Sequence, residues 1–90
     1  MNNAQTIWNQ ISVGTKMACG AREPVGSENE LHFTVLASRK TKIVVTLDPS
    51  DTYTVKFVKI GRGYDIKVVE EMSDVYVDSL NQVIYSMCNK

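Results

Sequence analysis

Between Leu31 and Glu71 the chain alternates apolar and polar residues in four successive runs, and helix-period segments flank them at both ends. Periods of about 2 and 3.6 residues rarely imitate each other over such lengths, so the pattern separates strands from helices. In the first run Leu31, Phe33 and Val35 alternate with His32, Thr34 and Leu36. Ile43, Val45 and Leu47 then alternate with Lys42, Val44 and Thr46, and Tyr53, Val55 and Phe57 with Thr54, Lys56 and Val58. Residues opposite one another across a ladder point to the same face. Pairing Leu47 with Tyr53, Val45 with Val55 and Ile43 with Phe57 therefore gathers one apolar set. A slip by one residue would bury Lys56, which specifies the register.

That register leaves Pro49-Ser50-Asp51 as a three-residue turn, with Pro49 fixing φ at its start. The same argument predicts a joining loop at Ser38-Arg39-Lys40 and a two-residue turn within Gly61-Arg62-Gly63. The fourth strand then completes the core face with Tyr64, Ile66 and Val68.

On a helical wheel Ala4, Ile7, Trp8, Ile11, Thr15 and Ala18 share a stripe about 100° wide. Asn3 is the expected N-cap, Gly14 a point where the helix can break, and Gly20 its stop. Residues 21–30, with Pro24 and Gly26 close together, read as loop. At the other end Tyr76, Val77, Leu80, Val83, Ile84, Met87 and Cys88 form a stripe about 140° wide, capped by Ser73 or Asp74. The expected fold is one α+β domain over residues 1–90. It is a two-layer sandwich, α-β-β-β-β-α, with a four-stranded antiparallel meander and the N- and C-terminal helices on one face.

Charge changes this picture only locally. Ten Lys and Arg balance ten Asp and Glu, so no net field draws the chain to nucleic acid or an anionic membrane. Seven basic residues stand against three acids from Ser38 to Lys67, and four acids against one Lys from Val68 to Lys90. The segment Met1 to Gln5 has neither a basic nor an apolar signal region, and the longest Val/Ile/Leu run is Ile43-Val44-Val45. Neither a signal peptide nor a membrane span is expected. Cys19 and Cys88 are too few and too distant in sequence to staple a small secreted fold. The expected setting is cytoplasmic, with reduced thiols.

Candidate chemistry is sparse. His32 is the only histidine, without the Cys or carboxylate cluster that a metal site needs. Asp48 and Asp51 flank a turn, where their side chains bond local backbone. Gly61-Arg62-Gly63 joins two strands and precedes no helix N-terminus, unlike a phosphate loop. No catalytic residue, metal site or cofactor is assigned. The outer sheet face carries Lys42, Lys56 and Lys67 among threonines and valines, which would suit nucleic acid. Alternation, however, sends the aromatic rings to the inner face, leaving no stacking platform. On the C-terminal helix Tyr85 falls outside the apolar stripe and Val75 lies across the polar arc. Both are candidate anchors for a protein partner. Arg22 is a third, a cation beside a small-residue segment.

Three segments carry a resemblance: Lys16-Met17-Ala18-Cys19-Gly20-Ala21-Arg22, Leu47-Asp48-Pro49-Ser50-Asp51-Thr52-Tyr53-Thr54-Val55 and Asp74-Val75-Tyr76-Val77-Asp78-Ser79-Leu80. In order and rough spacing they resemble a family of small proteins recurrent in tailed bacteriophages and prophages, over most of residues 12–88. The resemblance implies a phage context and supplies no catalytic or binding residue. The expected function is that of a non-enzymatic accessory protein in the cytoplasm of a bacterial host. It would act by binding a host or phage protein, one version being interference with a host defence or regulatory factor. Homo-oligomerisation is a further expectation. The alternative is a nucleic-acid-binding module using the Lys/Thr face.

Overall fold

The structure, a computed structural model, describes residues 3–36, 38–61, 63 and 65–88. The parts assigned above to Arg62 and Tyr64, and to the side chain of Ala4, lie outside the described residues. The elements run α1 (Asn3–Gln10), α2 (Val13–Cys19), β1 (Arg22–Gly26), β2 (Glu30–Val35), β3 (Ser38–Leu47), β4 (Tyr53–Ile60), β5 (Ile66–Val75) and α3 (Val77–Cys88). The strands form one antiparallel sheet in the order β1-β2-β3-β4-β5. The α+β class is as expected, with five strands in place of four. α1 packs against β1 and β2, α3 against β4 and β5, and α2 against α3. Helices therefore cover one face of the sheet.

The break in the N-terminal helix falls at Ser12 rather than Gly14. Ser12 is extended (φ −66°, ψ 152°), and its Oγ accepts the backbone N–H of Thr15 at 3.1 Å. A serine cap of this kind is worth about 1 kcal/mol, whereas Gly14 sits inside α2 with open space where a Cβ would go. The restart shifts the buried line to Ile11, Thr15 and Cys19, and Ala18 points to solvent. α1 begins at Asn3 itself, so Asn3 is not the residue ahead of the helix. Gly20 ends α2 as expected, in the left-handed region at φ 65°, with its N–H donating to Met17 O and that of Ala21 to Lys16 O.

Three expectations for the sheet are corrected. Residues 22–26 are an edge strand, not loop, and all five are exposed. With neither face buried, β1 has no alternation to read, and Pro24 is tolerated because an edge strand leaves N–H groups unpaired. β3 begins at Ser38, so Ser38-Arg39-Lys40 belongs to the strand, and the chain turns through Leu36 at φ 58°. The β4–β5 turn is wider than two residues, closed by Gly61 N–H on Asp65 O at 2.7 Å. Ile66 consequently pairs with Ile60 and Val68 with Val58, which puts both on the outer face. They are 69 % and 49 % exposed and are not core.

Two register shifts in β5 restore contact with the helices. One lies between the pairs Phe57↔Glu70 and Val58↔Val68, the other between Tyr53↔Val75 and Val55↔Met72. Each inserts a residue and flips the alternation that follows. Val75 is therefore a core residue of the strand, 3 % exposed, and not a position on the helix wheel. Ser73 and Asp74 lie in β5 and do not cap α3, while Tyr76 and Val77 are exposed.

The central register is as read from the sequence, with Leu47↔Tyr53, Val45↔Val55 and Ile43↔Phe57 paired. The turn between them is closed by Asp48 N–H on Thr52 O at 2.8 Å, with Asp51 left-handed at φ 63°. Phe33 anchors the core, its ring meeting Trp8 edge-on at 5.3 Å between centroids. Lys16 Nζ lies 4.2 Å from the Trp8 ring, so the indole is shared between core and surface cation.

One polar side chain holds the two ends of the chain together. Asn81 of α3 accepts the Ser12 backbone N–H on Oδ1 at 2.7 Å and donates from Nδ2 to Gln10 O at 3.1 Å. It thus satisfies backbone groups that the α1–α2 break leaves open. The Gln10 side chain in turn accepts the Tyr53 hydroxyl at 2.6 Å. Burial raises the pKa of Tyr53 above the usual phenol value, Gln10 opposes the shift, and Asp51 adds to it.

Candidate functional site

None of the described helices packs on the outer sheet face, and register places its side chains in rows. Thr34, Lys42, Val58 and Val68 form one row; His32, Val44, Lys56 and Glu71 form the next. Glu30, Thr46 and Thr54 lie beyond the second row, and Ile60 with Ile66 beyond the first. Val44, Val58, Ile60, Ile66 and Val68 thus make a continuous apolar patch toward the β5 edge. A shallow depression of about 250 Å³ opens over its centre, with Lys42, His32 and Glu30 on the far rim.

Polar side chains on this face are mostly paired. Lys56 Nζ approaches Glu71 Oε2 at 4.0 Å, and His32 Nε2 approaches Glu30 Oε1 at 3.9 Å. Thr46 and Thr34 donate to Glu30 Oε2 at 3.4 Å and Glu23 Oε2 at 3.5 Å. Such exposed pairs contribute little to stability, about 0–1 kcal/mol each.

The three lysines of the nucleic-acid alternative do not share this face. Lys67 pairs with Lys59, two residues beyond inward-facing Phe57, so it points toward the helix layer. Lys42 and Lys56 remain outside. Phe33, Tyr53 and Phe57 are buried on the inner face, as alternation predicted.

The candidate partner anchors are not brought together either. Tyr85 is 49 % exposed on α3, Arg22 is exposed on β1 opposite Thr34, and Val75 is in the core. Alternation within β4 extends to Ile60 on the outer face, but it could not reveal Ile66 and Val68 there. The only hint was the glycine-flanked turn, whose length fixes the register that follows.

Elsewhere the chemistry is structural. Asp48 Oδ2 accepts the Thr54 hydroxyl at 2.7 Å, a bond within the turn. Among the described residues no three His, Cys, Asp or Glu side chains cluster as a metal site would require. No described helix is long and apolar enough to cross a membrane. Cys19 and Cys88, remote in sequence, are both buried in the same core cluster, with Cys19 Sγ 3.8 Å from the carbonyl of Ile84, one turn before Cys88. Comparison of the chain with protein-family models, with curated proteins and with solved structures returns no match.

Proposed function

We propose that the protein is a binding module that engages another protein through the outer sheet face, without catalysis of its own. The observation that carries this reading is an apolar patch on a face that the described helices leave open, with Ile66 and Val68 exposed, Val44 and Ile60 half-buried and Val58 buried between them. Isolated exposed apolar residues are ordinary, but a contiguous patch with a polar rim marks an interaction surface. Lys42 and Lys56 border it, which suits a partner with an apolar centre and carboxylates at its edge. The resemblance of three segments to small phage and prophage proteins supports an accessory role in a bacterial host's cytoplasm. Interference with a host defence or regulatory protein is one version of that role.

Among the described residues the outer face carries two lysines and no stacking ring, which gives neither a backbone track nor a platform for bases.

Affinity capture from infected cells tests the proposal when wild type is compared with the Ile66→Asp/Val68→Asp double variant and with Tyr85→Ala. Both outer-face positions are exposed, so the double variant should keep its fold by circular dichroism. A partner held by wild type should be lost from the double variant, with affinity lowered at least tenfold for the purified pair by calorimetry. A partner that survives the double variant and is lost with Tyr85→Ala would move the site to the helix layer. Binding of oligonucleotides that weakens steeply with salt would favour the Lys face instead.

A further inference from the structure

We infer that Cys19 and Cys88 form a dithiol site that reacts with low-molecular-weight disulfides, such as glutathione disulfide, to give an intramolecular disulfide. The two thiols come from the last residue of α2 and the last residue of α3, where those helices pack together. They are 1 % and 7 % exposed in one core cluster, and Cys19 Sγ reaches the carbonyl of Ile84, one helical turn before Cys88. Cys19 is held from several sides. Its Sγ donates to Ile84 O at 3.8 Å, its own carbonyl accepts the Leu36 N–H at 2.8 Å, and Gly20 fixes the turn after it. With no third ligand beside them among the described residues, the pair suits a disulfide better than a metal.

Access comes from the side of Cys88. That residue lines a depression of about 250 Å³ at the end of the sheet, with Phe57, Lys59, Val69, Glu70 and Met87. Transient local opening of α3 lets a small disulfide reach the Cys88 sulfur while Cys19 stays behind it. The Cys88 thiolate attacks one sulfur of the oxidant. A mixed disulfide forms and one thiol leaves with a proton. The Cys19 thiolate then displaces the second thiol, so one protein disulfide replaces one small disulfide and two thiols are released. Burial raises both thiol pKa values, so the step is slow near neutrality and quickens with pH. Proximity, not reactivity, drives the equilibrium.

The product ties α3 to α2 across the core and closes a loop containing the whole sheet. Such a loop removes much entropy from the unfolded chain.

The test incubates the full chain in glutathione redox buffers at pH 8 to 9 and follows intact mass, non-reducing peptide maps and thermal denaturation. The expected result is loss of two hydrogens with a Cys19–Cys88 linked peptide. The denaturation midpoint should rise by roughly 10 °C. Neither effect should appear in Cys19→Ala or Cys88→Ala, whose folding is checked by circular dichroism. Three results would each overturn the inference: stable mixed-disulfide adducts without closure, disulfide-linked dimers, or thiols that stay free in native protein while urea-unfolded protein oxidises. Because the readouts are mass and midpoint, they are independent of whether the outer face binds a partner.

Discussion

Replacing Phe33 by Ala is expected to remove about 3–5 kcal/mol of stability, enough to leave a domain of this size largely unfolded at modest urea. Phe33 is 1 % exposed, sits in the middle of the inner face on β2 and carries the edge-on contact with Trp8. Truncation would leave a void beneath α1, and the indole would lose the ring it packs against. Lys56→Ala should change stability by less than about 0.5 kcal/mol, because its pairing with Glu71 is long and exposed. Urea midpoints of purified variants check both. Similar midpoints for Phe33→Ala and Lys56→Ala would mean that the two sheet faces are exchanged.

Asn81→Ala is expected to cost about 2 kcal/mol, a large effect for a side chain outside the apolar core. Its amide closes two backbone groups on the far side of the molecule, the Ser12 N–H and the Gln10 carbonyl. Alanine would leave both without the partners they have in the native fold. Asn81→Asp sharpens the test: the carboxylate can still accept from Ser12 but can no longer donate to Gln10, and it sets negative charge against a carbonyl. Both variants should lower the thermal midpoint, whereas Gln82→Ala, one residue along on the exposed side, should not. A midpoint for Asn81→Ala within a degree of wild type would show that solvent replaces the clasp without cost.

The β3–β4 register was readable because both strands bury one full face, so a single alternation and a turn of known length admit one solution. β5 was not, for a physical reason visible in its pairs. A turn closed by Gly61 and Asp65 set its entry, so parity read from Ile66 and Val68 pointed the wrong way, and two bulges later in the strand reversed the alternation again. The turn hid the apolar patch on the outer face and misplaced Lys67, while Val75 was misplaced because the strand runs on into a segment with helical period. β1 escaped because an exposed edge strand carries no hydrophobic period. Asn81 and the Cys19–Cys88 pair escaped for another reason. Each acts on a group far away in the chain, and no local pattern records such a meeting. Tyr85 was placed correctly as an exposed residue, since a helix wheel needs only the phase of one element.

Because every strand pairs with its neighbour in sequence, the meander can assemble hairpin by hairpin, each step closing a short loop at modest entropic cost. The union of α1–α2 with α3 is different, since it joins residues near the two ends of the chain. The hairpin of β3 and β4 is therefore expected to form in the folding transition state, and the Asn81 clasp only after it. In stopped-flow chevrons Val45→Ala should slow refolding, while Asn81→Ala should chiefly speed unfolding. Refolding slowed as much by Asn81→Ala as by Val45→Ala would place the union of the chain ends in the nucleus.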